Sequence, residues 1–361
     1  MTRLGAADAV ETESAVACVP VPPPHGAGAP RGASRDGGPG PRALLLETRE
    51  VPLGGVRAME VHRSLPQRDL PLVGAWCFLD RFGPQVARMR VDPHPHIGLQ
   101  TVTWPYQGEV RHRDSVGSDV VVRRGALNLM TSGAGISHSE YSTGEDAAAI
   151  DALQLWVALP ESRRHGAPAF EQHAVLPEIE LVPVTGDPGA ATIVLGALGG
   201  TASPATTYTP IVGAELRIPA GSSVRVPLER AWEHALIVVA GDAAVAVSTA
   251  GPEGAASVSS GDDGDVDLDT THLLYLGIHR DDVVISSANG ATLFLLGGEP
   301  FEDDIVMWWN FVGRTHEEIV EAREAWEAGS ERFGRVIDHG DERIPAPPLP
   351  AVRLTRRRRR V

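Results

Sequence analysis

From Ala43 to Leu296 the chain alternates short apolar runs with clusters of turn residues. Ala43-Leu44-Leu45-Leu46 reads as a first strand, and Val56–Val61 and Ala75–Leu79 as further short ones. Leu79-Asp80-Arg81-Phe82-Gly83-Pro84 then ends in a turn. Leu99–Tyr106 and the run from Val110 flank Gln107-Gly108-Glu109, a hairpin signal. Asp119–Val122, Leu127–Met130 and Leu153–Val157 continue the series, and a second β-rich block runs from Ile211 to Leu296. Many short strands separated by turns predict an antiparallel sandwich or barrel. A helix is predicted near the C-terminus. Thr315 can cap it, Glu318 completes a capping box, Ile319, Ala322 and Trp326 form its apolar stripe, and Gly329 can end it.

The two β-rich blocks echo each other. Leu236-Ile237-Val238-Val239-Ala240-Gly241-Asp242 repeats the pattern of Val102 to Glu109, an apolar strand ending in Gly-acid. An internal duplication is expected. Within the first block, Asp92-Pro93-His94-Pro95-His96 precedes the hairpin, and Ser137-His138-Ser139-Glu140 follows the flexible Gly133-Ala134-Gly135 turn. In a strand, residues i and i+2 share a face. His94 with His96, and His138 with Glu140, can therefore each reach one point, and facing strands would unite all four. An ungapped comparison puts Pro227, Glu229, Leu293 and Leu295 at the matching positions of the second block, which predicts a second barrel that lacks the ligands.

Imidazole and carboxylate suit Fe, Mn, Zn, Ni or Cu, and the lack of thiolate argues against a closed structural zinc site. Four protein ligands on an octahedral ion leave two positions for substrate and dioxygen. Pro95 fixes φ between the first two histidines and belongs at a strand start or edge. Gln100, four residues beyond His96, is expected on the same face and in the substrate pocket, where His112 is the other candidate. His234 stands alone in the second block.

Composition narrows the class. The chain has 361 residues, 42% hydrophobic, with 39 Gly and 29 Pro, enough for about two domains rich in turns. The formal net charge of -15 opposes nucleic-acid binding by the body of the protein. Two cysteines, Cys18 and Cys77, give no disulfide framework and fit a reducing cytoplasm. There is no apolar stretch of membrane-spanning length and no signal-peptide pattern. The acidic run Asp262–Asp269 fails the calcium-loop pattern, since, counted from Asp265, Thr270 stands at the sixth position and Leu276 at the twelfth; it reads as a solvated loop. Arg356–Arg360 reads as a solvated basic end. Neither a phosphate-cradling loop nor a nucleophile elbow occurs.

Three motifs together resemble the pirin family: Phe78-Leu79-Asp80-Arg81-Phe82-Gly83-Pro84, His94-Pro95-His96-Ile97-Gly98-Leu99-Gln100-Thr101-Val102-Thr103, and Met130-Thr131-Ser132-Gly133-Ala134-Gly135-Ile136-Ser137-His138-Ser139-Glu140. Leu153–Val157 and Gly298-Glu299-Pro300 are pirin-like as well. The resemblance implies an all-β bicupin, two jelly-roll barrels with metal in the first alone. It places the family's ligands on His94, His96, His138 and Glu140, with Fe(II) as the expected ion. It also implies either a quercetin 2,3-dioxygenase-like activity, with a flavonol or other enediol-like substrate and dioxygen, or an iron-dependent regulator that binds a protein partner. The chain departs from the family at Ile97, Leu99 and Gln100, where Arg, Phe and Glu are usual, and around Met307–Val312. Without a carboxylate at Gln100, Glu140 is expected to act as base as well as ligand. The expected organisation is a disordered leader (1–42), an N-terminal cupin (43–160), a connector (161–204), a C-terminal cupin (205–300), a helical segment (301–335) and a disordered basic tail (336–361), in a cytoplasmic monomer.

Overall fold

A computed structural model describes residues 43–53, 59–247 and 264–357. The expected leader, 1–42, and the final residues, 358–361, lie outside the described residues. The first described strand, β1 (Leu44–Glu47), pairs antiparallel with a strand more than two hundred residues away, as shown below. The next strands are β2 (Arg49–Leu53), β3 (Met59–Leu65), β4 (Trp76–Ala87), β5 (Arg90–His96), β6 (Leu99–Gln107) and β7 (Glu109–Asp114). They are followed by β8 (Asp119–Arg123), β9 (Leu127–Thr131), β10 (Ile136–Ser142), β11 (Ala148–Ala158) and β12 (Ala169–His173). Together β2–β12 build the first barrel from a sheet ordered β12-β9-β6-β11-β4-β3-β2 and another ordered β5-β10-β7-β8.

The second barrel begins with β13 (Glu178–Thr185), β14 (Gly189–Leu198), β15 (Thr201–Ala202), β16 (Ile211–Ile218), β17 (Ser222–Pro227) and β18 (Glu233–Ala240). It continues with β19 (Ala243–Ala246), β20 (Asp265–Leu268), β21 (His272–Gly277), β22 (Asp282–Ser287) and β23 (Ala291–Gly298). Apart from β15, which pairs with β14 off the path, its strands follow the order β1-β21-β18-β23-β16-β14-β13-β17-β22-β19-β20. Strand β13 carries the path round the corner: Glu178–Leu181 pair with β14, and Val182, Pro183 and Thr185 pair with β17.

The two orders match strand for strand. The run β9-β6-β11-β4-β3 corresponds to β21-β18-β23-β16-β14, and β5-β10-β7-β8 to β17-β22-β19-β20. The duplication is thus present, but the ungapped alignment slips in both halves. Pro227, aligned with His94, ends β17 as His96 ends β5, two residues out of step, and Glu229 falls beyond the strand; Leu293 and Leu295 lie on β23, the counterpart of β11. Gly290 closes the β22–β23 turn, while Gly135 closes the turn before β10, so their offsets compare different hairpins. The inward positions of β17 and β22 are Val224, Val226, Val283 and Ile285, part of an aliphatic core that fills the second barrel.

The expected boundaries shift for the same topological reason. Strand β1, expected in the first barrel, pairs with β21 of the second. The stretch 161–204, expected as a connector, supplies β12 to the first barrel and β13–β15 to the second. Residues 336–357, expected as a loose tail, are tied to the body: the Ile344 N–H donates to Pro93 O and the Arg357 N–H to Ile305 O. Of the acidic run, Asp265–Leu268 is strand β20 rather than loop, and residues 262–263 lie outside the described residues.

The helix, α1 (His316–Glu327), forms as its caps predict: Thr315 Oγ1 accepts from the Glu318 N–H at 3.2 Å, and Ile319, Ala322 and Trp326 are buried. Glu318 turns its carboxylate to the Arg314 N–H and to Arg164 instead of closing the box on Thr315. The helix packs on a hairpin of β24 (Val306–Trp308) and β25 (Phe311–Gly313).

A continuous apolar cluster joins the barrels, with Trp76, Val102, Trp104, Leu129 and Leu155 from the first and Ile211, Ile237, Phe294 and Leu296 from the second. Both indole N–H groups inside this interface are paired. Trp76 Nε1–H is shared between Val212 O (3.0 Å) and Gly297 O (3.1 Å), and Trp104 Nε1–H donates to Glu215 Oε2 (2.9 Å). Trp76→Phe would keep most of the apolar volume and remove the donor. Because orphaned buried acceptors cost about 1–3 kcal/mol, the variant should unfold at lower denaturant with an unchanged m-value, as followed by tryptophan fluorescence and far-ultraviolet circular dichroism.

Candidate metal centre

Strands β5 and β10 pair so that His138 stands opposite His94 and Ile136 opposite His96. The register shifts between His138 and Glu140, where β10 also pairs with β7 and places Glu140 opposite His112. The three imidazoles of His94, His96 and His138 offer nitrogens all within 4.8 Å of one another, as do the ligand atoms of His112, His138 and Glu140. The structure thus gathers the three predicted histidines. It sets the Glu140 carboxylate in the adjoining set that shares His138, and not in one set with all three.

Two of the rings are oriented by backbone carbonyls. His94 Nδ1 lies 2.9 Å from Asp92 O and His96 Nδ1 lies 3.0 Å from Asn310 O. A carbonyl can only accept, so each Nδ1 carries the proton and each Nε2 keeps its lone pair. His96 Nε2 and His138 Nε2 are 3.1 Å apart. Two imidazole nitrogens bound at right angles to one ion, at about 2.1 Å each, would stand about 3.0 Å apart. Donor type and spacing therefore both fit a divalent cation.

Burial sets the electrostatics. Desolvation pushes His94 down to about 4, and burial drives His96 and His138 well below the ordinary imidazole range, with neighbouring histidines adding to the effect. Neutral imidazoles are the form a cation needs. Burial also raises the Glu140 carboxyl, against the opposing influence of His112 and the Thr103 hydroxyl. For Asp114, burial is outweighed by hydrogen bonds from His112 and Ser118, and the carboxyl is held below its usual value.

The two pocket candidates part company: Gln100 turns away from the histidines, and His112 stands with His138 and Glu140. The chain reverses at Gly98, whose φ of +70° and whose approach to Val312 O leave no room for a Cβ. Gln100 therefore does not continue the face of His96. It lies on the side of β6 that carries Val102 and Trp104, and its Nε2 donates to Thr131 Oγ1 (2.9 Å) and to Thr206 O (3.1 Å). His112 sits behind His138, its ring stacked on Phe170. Its Nδ1 is 3.3 Å from His138 Nδ1 and its Nε2 is 3.0 Å from Asp114 Oδ2.

Three contributors escape a reading of the sequence. Thr103 Oγ1 lies 3.1 Å from Glu140 Oε1 and 3.0 Å from Gln154 Oε1. The alternation of Thr101 and Thr103 with apolar Val102 and Trp104 is the signal that could have found it. Asp114 could have been noticed two residues after His112. Asn310 acts through its carbonyl, which no side-chain pattern reveals. The segment around Met307–Val312, noted as a departure from the family, is the one that closes on the site.

Two jelly-roll barrels, one filled with aliphatic side chains and the other holding clustered imidazoles, define a bicupin with a candidate metal centre in its first barrel. The chain belongs to the pirin family. The family models named Pirin and Pirin C-terminal cupin domain match residues 57–157 and 213–334. A Pseudomonas aeruginosa protein named "Putative quercetin 2,3-dioxygenase" is 40% identical over 84% of this chain and 90% of its own length. A pirin-like protein of Caulobacter vibrioides is 32% identical over 84% of this chain and 99% of its own. The crystal structure of a quercetin 2,3-dioxygenase from Acinetobacter baumannii, 35% identical, superposes with a TM-score of 0.75 over 86% of this chain and 97% of that one. Among the described residues no helix is long and apolar enough to cross a membrane.

The depressed imidazoles make stability depend on pH. As pH falls from 6.5 toward about 4, the unfolded chain takes up protons that the buried rings refuse, so the metal-free fold loses stability. Each withheld proton is worth about 1.4 kcal/mol per pH unit. Glu140 works in the opposite sense, taking its proton earlier than the unfolded chain does, but it is one group against three. The thermal midpoint of chelator-treated protein should fall across this window, and His96→Gln should flatten the slope. A flat midpoint in the parent protein would contradict the burial of neutral rings.

Proposed function

We propose that the protein is a mononuclear-metal dioxygenase acting on a flavonol or other enediol-like small molecule, with His94, His96, His138 and Glu140 holding Fe(II). Mn, Zn, Ni and Cu are chemically compatible with the same donors. What carries this reading is the convergence of three neutral imidazoles beside a buried carboxylate in the first barrel. Similarity to the quercetin dioxygenase of A. baumannii supports the choice of substrate class. The bound ion supplies Lewis acidity toward an enol oxygen and a place for dioxygen to meet the substrate. Glu140 takes the enol proton, and burial makes it the stronger acceptor. Thr103 holds the carboxylate in place through its hydroxyl. Burial of the four residues excludes bulk water: His94, the most exposed, has 6% of its surface accessible.

That same burial favours a second reading. A site so enclosed suits an iron-dependent regulator, in which the oxidation state of the ion alters a surface that a protein partner recognises. Anaerobic reconstitution with Fe(II), followed by oxygen uptake against a panel of flavonols and other enediols, separates the two. The enzyme should take up one iron and consume oxygen with at least one compound, and His96→Ala should lose both properties. Thr103→Val should retain iron, lower kcat by about tenfold, and move the acid limb of the kcat/KM profile upward, because it removes a hydrogen bond that favours the ionised carboxylate. Iron uptake without oxygen consumption, together with partner binding that differs between ferrous and ferric protein, would establish the regulator instead.

A further inference from the structure

We infer that Asp114 and His112 are positioning residues that fix the proton of His138 on Nδ1, and so aim its Nε2 lone pair at the metal position. The inference rests on the metal reading above and extends it to two residues outside the ligand set. His94 and His96 have their tautomers set by backbone carbonyls; among the described residues no carbonyl holds the Nδ1 of His138. Its neighbour there is His112 Nδ1, at 3.3 Å.

Hydrogen-bond polarity can be followed inward from Asp114. Its Oδ1 accepts from the N–H groups of Val116 (3.0 Å) and Ser118 (2.9 Å), which leaves Oδ2 facing His112 Nε2 at 3.0 Å. An ionised carboxylate only accepts, so His112 carries its proton on Nε2. For His138 Nε2 to bind a cation, the proton of that ring must sit on Nδ1, and His112 Nδ1 can receive it only as a lone pair, with the single His112 proton on Nε2. His138 must then donate from Nδ1, and its Nε2 is free, facing His96 Nε2 at 3.1 Å. Phe170, stacked on His112 at a centroid distance of 4.5 Å, keeps the ring in the plane this relay needs.

An isosteric change gives a test that packing alone would not answer. In Asp114→Asn, the amide oxygen stays with Val116 and Ser118, and the NH2 takes the place of Oδ2. A donor now faces His112 Nε2, so the proton of His112 moves to Nδ1. His138 must accept there and carry its own proton on Nε2, the tautomer that cannot bind metal. Nitrogen-15 NMR of histidine-labelled, metal-free protein should show His138 protonated at Nδ1 in the parent and at Nε2 in Asp114→Asn. Anaerobic Fe(II) and Zn(II) titrations should show affinity roughly 10- to 100-fold weaker in Asp114→Asn, and a milder loss in Asp114→Ala, which breaks the relay without reversing it. His138 protonated at Nε2 in the parent would overturn the inference. So would unchanged affinity in Asp114→Asn combined with abolished binding in His112→Ala, which would make His112 a ligand. Failure of the metal reading would show separately, as no uptake by the parent protein. The tautomers are read without metal and decide the relay in either case.

Discussion

A buried imidazole can offer a lone pair from one nitrogen only when the proton on the other has a fixed acceptor. The first barrel meets that requirement three times, with acceptors from three different parts of the chain. Asp92 lies in the same strand as His94. His112 comes from the neighbouring strand β7. Asn310 comes from the hairpin that follows the entire second barrel, more than two hundred residues along the chain. The C-terminal elements thus complete a site whose side chains all lie before residue 141. Gly98 belongs to the same constraint, since any side chain there would strike Val312 O and push the hairpin away from His96.

The two barrels share a topology and differ in what fills them. Inward positions of β17 and β22 are Val224, Val226, Val283 and Ile285, and the core around them is aliphatic. The matching strands of the first barrel turn histidines and a glutamate inward, groups that cost stability when buried without partners. Apolar packing around the first barrel offsets that cost. The larger sheets pack face to face through the shared apolar cluster, and the second barrel acts as a stable support for the first. Ion pairs stiffen the wall: Arg63 binds Asp80 through two hydrogen bonds of 2.8 Å, and Arg81 binds Asp151 at 2.9 and 2.8 Å. Asp80 and Arg81 are adjacent in Phe78–Pro84, so that motif serves the wall of the barrel and not its chemistry.

What the sequence determined by itself is what depends on local periodicity and local backbone chemistry. Period-two alternation marked the strands, Gly108 the hairpin, and Thr315 with its apolar stripe the helix. The i, i+2 spacing of His94 and His96, and the single position of His138 after a glycine turn, were enough to bring three imidazoles together. Tertiary structure decided everything that turns on pairing between distant segments. Strand β1 joined the far barrel because an edge strand is placed by the ladder it completes, which its own four residues do not specify. Gln100 left the face of His96 because one reversal at Gly98 resets the alternation on which the prediction stood. His112 became a partner of His138, and Asn310 of His96, through hydrogen bonds formed after the chain had closed on itself. A carbonyl acceptor is the same in every residue, so only the folded chain can say which one an imidazole will find.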